Sequence, residues 1–238
     1  MRWTSQIQRS TRSNCGWRCG GMARTAILAL FAIVLVSVPT APAPAGSLAC
    51  RHPGSQRVLR HEIVRHIVNA EAARDDDGRI VVHRLNGADG GGQFEVAGIN
   101  ERYHAAAATA LRALIEDGRY RRAEAEAVGY IAAYTDTLAQ WAKSGAVAYI
   151  LRDMTWNRGP TGAVRILQIA LNVEVDGLFG PQTRRALMRA QDRPVKLIAA
   201  LRVAREQYER RRRDESSPFW QGLVNRWNAA SERALCYL

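Results

Sequence analysis

Trp156-Asn157-Arg158-Gly159-Pro160, then Leu167-Gln168-Ile169-Ala170-Leu171-Asn172, then Asp176-Gly177-Leu178-Phe179-Gly180-Pro181-Gln182-Thr183, read as a turn, a helix, a tight turn and a second helix. Gly159-Pro160 interrupts the helical pattern, and Thr161 can cap the helix that follows, whose apolar residues are Val164, Leu167, Ile169, Ala170 and Leu171. Asp176-Gly177 makes one turn and Gly180 another. Pro181 fits the first turn of the next helix, which Thr183 can help to cap.

Outward from this stretch the chain is mostly helical. Helical periodicity covers 105–116, closed by Asp117-Gly118, then 123–143, and then a third helix over 147–155. A longer amphipathic helix is expected over 195–208, and a final one over 218–235 with Trp220, Leu223 and Trp227 on one side. Upstream, Leu59, Ile63, Val64, Ile67 and Val68 have helical spacing in 58–73, and Asp75-Asp76-Asp77-Gly78 ends that helix, because acids are repelled at a helix C-terminus. The convincing β-structure is a single hairpin at about 80–99, with strands over 80–85 and 93–99 and a flexible turn over 86–92. The fold class is therefore mainly α, with one small β-hairpin following the helix that carries Glu71.

The ends and the charge bound the rest. Residues 26–38 form an almost unbroken apolar run, preceded by arginines and followed by Pro39-Thr40-Ala41-Pro42-Ala43-Pro44-Ala45. That is the pattern of a secretory signal, with Met22 as an alternative start, and the run is short for a membrane span, which takes about 20 residues. The expected organisation is a signal over 1–45, an N-terminal lobe over 46–145 and a helical C-terminal lobe over 146–238, giving an exported product that is periplasmic or secreted. Removing 1–45, which holds five arginines and no acids, lowers the net charge from +12 to +7. A basic exported protein suits an anionic cell-envelope surface, and export argues against nucleic acid as partner. Arg210-Arg211-Arg212-Arg213 reads first as a solvated helix end. Cys50 and Cys236 remain after export and can form a disulfide, with lipidation of Cys50 as the rival use of that residue.

Glu71 is the leading chemical candidate. It lies four residues after Ile67 and three after Val68, on the apolar face of its helix. Partial desolvation and the negative end of the helix dipole both favour the protonated carboxyl, which is what a general acid needs near neutral pH. The hairpin that follows would form the opposite wall of a cleft.

With the motifs quoted above, this arrangement resembles glycoside hydrolase family 108, lysozyme-like N-acetylmuramidases that carry a C-terminal predicted peptidoglycan-binding segment. Glu71 matches the glutamate at the end of the family's N-terminal helix, Asp89 with Gly91-Gly92 its Asp-x-Gly-Gly stretch, and Gly98-Ile99 its Gly-Ile pair. Asn157-Arg158-Gly159-Pro160 resembles the family's Asn-x-Gly-Pro, Leu167-Gln168 its Leu-Gln, and 176–183 its Asp-Gly-x-x-Gly-Pro-x-Thr. The resemblance implies cleavage of peptidoglycan glycan strands between N-acetylmuramic acid and N-acetylglucosamine. It also departs from the family, which has Glu-Gly-Gly followed by an aromatic where this chain has Glu71-Ala72-Ala73-Arg74. The 71–98 segment is longer than usual and lacks the family's hairpin threonine.

A second carboxylate should stabilise the developing positive charge or position water. Asp89 is favoured by the resemblance and Glu95 by its place on a strand beside the proposed cleft. Tyr103, Tyr134, Trp156 and Asn157 are candidate sugar-binding residues, with core packing the competing role for Tyr134 and Trp156. No cofactor is implied. The five histidines form no His-Glu-x-x-His pattern, so no metal site is expected, and there is no Gly-x-Ser-x-Gly elbow. The expected product is a monomeric enzyme, and the alternative is a non-catalytic peptidoglycan-binding protein on the same fold.

Overall fold

α4 (Gly145–Leu171) is the axis on which the structure is built. Twenty-seven residues long, it packs against α1 (Gln56–Glu71), α3 (Tyr120–Ala139), α5 (Pro181–Ala190), α6 (Pro194–Glu209) and α7 (Trp220–Leu235). The computed structural model describes residues 56–86 and 92–238, which belong to one compact unit. Ile150, Leu151, Met154, Ile166 and Leu167 of α4 are fully buried, and α2 (Ala105–Glu116) joins the core through Ala108 and Leu111. The expected lobe boundary at 145/146 falls at the first turn of α4, whose N-terminus is capped by Ser144. The expected signal over 1–45 lies outside the described residues, and none of the described helices is long and apolar enough to cross a membrane.

The expected break at Asn157-Arg158-Gly159-Pro160 is a kink inside one helix. Gly159 alone leaves helical geometry, with φ 67° and ψ 168°. That conformation suits glycine, and the residue after it can be proline, because its missing N–H falls where the ladder is already broken. Arg158 Nη1 donates to the Asn157 carbonyl at 2.9 Å, covering an acceptor at the kink. Thr161 therefore lies within α4 rather than capping a new helix. α6 bonds Asp153 before the kink through Arg205 and packs its Tyr208 against Gly162 after it, holding the two segments together.

The hairpin is also more than expected. β1 (Val82–Arg84), β2 (Phe94–Val96) and β3 (Ile99–Asn100) form an antiparallel sheet in the order β1-β2-β3. Val82 pairs with Val96, and Val96 with Ile99. The anticipated return strand over 93–99 is split by Ala97-Gly98, both at positive φ (52° and 74°), the signature of a type I′ hairpin turn. Ile80, expected in the first strand, instead bridges back to Arg74. Between them, Asp75 Oδ1 accepts from the N–H groups of Asp77 and Arg79, so the acidic run is a hydrogen-bonded turn.

The C-terminal motif is a polar knot around Gln168. This side chain is 1 % exposed. Its Nε2 donates to Asp176 Oδ1 (2.6 Å), the Leu178 carbonyl (3.0 Å) and Thr183 Oγ1 (3.1 Å), and its Oε1 accepts from the Gly177 N–H at 2.9 Å. Thr183 thus binds the glutamine rather than capping α5, whose N-cap Gly180 offers no side chain. Gly177 sits at φ +82°, where a Cβ would lie 2.9 Å from Arg165 Nε. Replacing Gln168 by leucine leaves the buried Gly177 N–H unpaired, while the Leu178 carbonyl keeps the Gly180 N–H, and is expected to cost about 1–3 kcal/mol. Urea unfolding should show a lower midpoint with an unchanged slope.

Candidate functional site

Glu71 ends α1, and the β2–β3 turn closes over it. A Cβ at Gly98 would lie 2.9 Å from Glu71 Cβ and 3.3 Å from its Oε2, so only glycine permits this approach. On another side Glu71 Oε1 meets Arg226 Nη2 of α7 at 2.5 Å. The same Nη2 lies 3.1 Å from Asp153 Oδ1 of α4, and Asp153 Oδ2 accepts from Arg205 Nη2 of α6 at 2.5 Å. Arg158 and Glu209 form a further ion pair beside this chain. Asp153 and Arg205 are each 3 % exposed, whereas the Glu71 side chain keeps 21 %.

The two carboxylates are tuned in opposite directions. Burial pushes Glu71 above the usual glutamate range; Arg226 pulls it down without cancelling that rise, and the charge of Asp153 adds to it. Burial also pushes Asp153 up, but the charges and hydrogen bonds of Arg205 and Arg226 outweigh it and hold that carboxyl below the usual range. Glu71 is therefore the group that can carry a proton, and Asp153 is a fixed anion.

A second cluster lines α2, α3 and α4. His104 stacks on Trp156 with ring centroids 5.4 Å apart and its Nδ1 lies 2.9 Å from the Tyr130 hydroxyl. Tyr134 meets both His104 and Trp156 edge to face, at 5.2 and 5.6 Å. The cluster abuts the kink, since a Cβ at Gly159 would lie 3.7 Å from the Tyr134 hydroxyl. Burial lowers the pKa of His104. The Asn100 carbonyl of β3 accepts from the N–H groups of Tyr103 and His104, tying this wall to the sheet that backs Glu71.

The sequence-derived candidates separate as follows. Tyr134 and Trp156 come together, half-buried, in one aromatic wall. Tyr103 stands apart at 65 % exposure, with the Arg102 guanidinium over its ring. Asn157 turns its amide inward and donates to the Asp153 carbonyl at 3.0 Å. Glu95 is half-buried on β2, paired in register with His83 and Asn100, between the core residues Phe94 and Val96. Asp89 and Cys50 lie outside the described residues; Cys236 is disulfide-bonded. Among the described residues no group of three or more His, Cys, Asp and Glu is placed to hold a metal ion.

Sequence reasoning missed Arg226, Asp153, His104 and Tyr130. Asp153 carried a readable signal: a carboxylate inside the apolar run of 147–155 must find a buried cation. Arg226, 155 positions beyond Glu71, carried none.

Comparison with known proteins adds to this geometry. Residues 162–227 match the family described as Predicted Peptidoglycan domain. That supports a peptidoglycan-related protein, and the matched span contains the Gln168 knot, Arg205 and Arg226. Among solved structures, Brucella abortus SagA has a similar fold, with a TM-score of 0.51 and 18 % identity over 76 % of this chain and 96 % of that one. No curated protein matches the chain.

Asp153→Ala removes the anion that compensates the buried Arg205 and the half-buried Arg226. It is expected to destabilise the fold by about 3–5 kcal/mol, the range for breaking a buried ion pair on one side. Adding Arg205→Met should recover part of that loss in denaturant unfolding, since it removes a stranded charge.

Proposed function

We propose that this protein is an exported peptidoglycan hydrolase of the N-acetylmuramidase type, with Glu71 as general acid. The observation that carries the reading is the enclosure of Glu71 by the Gly98 turn and Arg226, which leaves a part-exposed carboxyl biased toward its protonated form. Such a group can protonate a glycosidic oxygen as the bond to the sugar breaks. Support also comes from the sequence resemblance to glycoside hydrolase family 108 and from the peptidoglycan-domain match over 162–227. The second carboxylate is Glu95 or Asp89. Tyr134 and Trp156 present aromatic faces and edges of the kind that hold sugar rings. The leader over 1–45 directs export, and Cys236 pairs with Cys50.

The departure Ala72-Ala73-Arg74 has a structural explanation compatible with catalysis. Arg74 bonds Asn69, the Gly78 carbonyl and Glu124 of α3, fastening the loop that follows Glu71. A second reading, a non-catalytic peptidoglycan-binding protein, is favoured by one observation: Arg226 engages Glu71 directly, as it would a purely structural carboxylate.

Muropeptide analysis of purified peptidoglycan separates the two. New reducing N-acetylmuramic acid ends should appear with the wild type and not with Glu71→Gln. Equal cleavage by both variants would remove Glu71 from the mechanism, and binding without cleavage by either would establish the second reading.

The pH profile gives an independent check. A general acid must be protonated, so activity falls as pH rises through the Glu71 pKa, above the usual glutamate range. Arg226→Gln removes a cation that favours the ionised form. The alkaline limb should therefore move to higher pH, measured as turnover between pH 4 and 9 on folded protein.

A further inference from the structure

The groove formed by the end of α4, by α5 and by the start of α6 is remote in sequence from Glu71 and plays no part in the chemistry above. It encloses about 580 Å³, within the range of small-ligand sites. Its apolar lining consists of Ala170, Leu171, Ala186, Ala190, Leu197 and Ala200. Its charged lining consists of Arg189, Arg193, Lys196 and Asp192. Asp192 is already engaged by Lys143 Nζ at 2.9 Å. Among the described residues, Arg189, Arg193 and Lys196 have no ion-pair partner, so three cations border a floor of small aliphatic side chains.

We propose that this groove binds the peptide portion of peptidoglycan, rather than its glycan, through free carboxylates set against the three cations. The choice follows from the lining. Among the described residues no aromatic ring lines the groove, so their lining offers no flat surface on which sugar rings stack. Small aliphatic walls match alanine-sized side chains, and the unpaired cations match carboxylates at the ends and branch points of a stem peptide. The groove also lies inside the 162–227 segment that matches the peptidoglycan domain. The identity of the occupant rests on the peptidoglycan reading, whereas an anionic peptide ligand follows from the groove itself. Bound there, the peptide would hold the polymer on the enzyme while the glycan occupies the Glu71 face.

The test is calorimetric titration of the full-length protein with a stem tetrapeptide, L-Ala–D-γ-Glu–meso-diaminopimelate–D-Ala. Binding is expected to weaken at least tenfold in the Arg193→Glu/Lys196→Glu variant, and to a similar degree when the peptide carboxylates are amidated. Cleavage of peptide-free glycan should be unchanged in that variant, because both substitutions are on the exposed surface away from Glu71. Arg211→Glu/Arg212→Glu, the same change in net charge at another exposed site, should leave peptide binding intact. Absence of peptide binding, equal loss in both charge-reversed variants, or equal binding of a peptide-free disaccharide would each overturn the proposal. Peptide binding without glycan cleavage would sink only the hydrolase reading; glycan cleavage without peptide binding would sink only the groove.

Discussion

Asp153 is held between Arg205 and Arg226, and Arg226 in turn reaches Glu71, so charges of alternating sign run through the junction of α1, α4, α6 and α7. Burying any one of these groups alone would be costly, and alternation is what makes the set tolerable. The constraint is geometric as well as energetic. A guanidinium serving two carboxylates fixes the distance between the helices that carry them, and here that brings the last helix of the chain against the first. Tyr237 reinforces the closure, stacking on Tyr149 and donating its hydroxyl to Glu62 of α1 at 3.2 Å. The Cys236 disulfide lies beside it.

The network also separates the roles of its two acids. Asp153 has two cations and nearly complete burial, so its charge is locked. Glu71 shares one cation with a neighbouring anion and keeps part of its surface in solvent. Burial raises the Glu71 pKa, and an arginine whose charge also answers Asp153 does not cancel that rise. With Asp153 absent, the Glu71 pKa would fall, because the anion that raises it is gone. In this sense Asp153 acts on Glu71 without touching it, through a negative charge that raises its pKa.

Much of the helical framework was legible because its signals are local. Apolar spacing found α1, α2 and α6 to within a few residues, and Pro181 marked the start of α5. Two readings failed where tertiary packing overrode local punctuation. Gly159-Pro160 would end an isolated helix, yet contacts with α6 on both sides of it carry α4 through. Val96-Ala97-Gly98-Ile99 looked like continuous strand, because alanine is an uncommon residue at positive φ. At the site, Glu71 was legible from its face on the helix, as were Tyr134 and Trp156 as aromatics near the kink. Arg226 was not, since pairing across 155 residues leaves no periodicity to read. Gln168 stands in a readable motif, but its place as the buried centre of the 176–183 turn emerges only when that turn folds back over it.

The β2–β3 turn places backbone strain directly beside Glu71. Ala97 is fully buried in a left-handed conformation that costs a non-glycine residue of order 1 kcal/mol, and Gly98 beside it leaves no room for a side chain. A simpler two-residue turn with glycine or asparagine first would relieve that cost without altering the ladder. What the observed turn accomplishes is to place a backbone surface against Glu71 while Ile99 enters the core and Asn100 anchors the aromatic wall. The buried methyl of Ala97 fixes the turn in the core, so the approach of Gly98 to the carboxylate does not depend on a mobile loop. Desolvation of Glu71 is thus built from backbone, a component that no rotamer change can withdraw, and the ion-pair network on the opposite side sets how far that desolvation shifts its proton affinity.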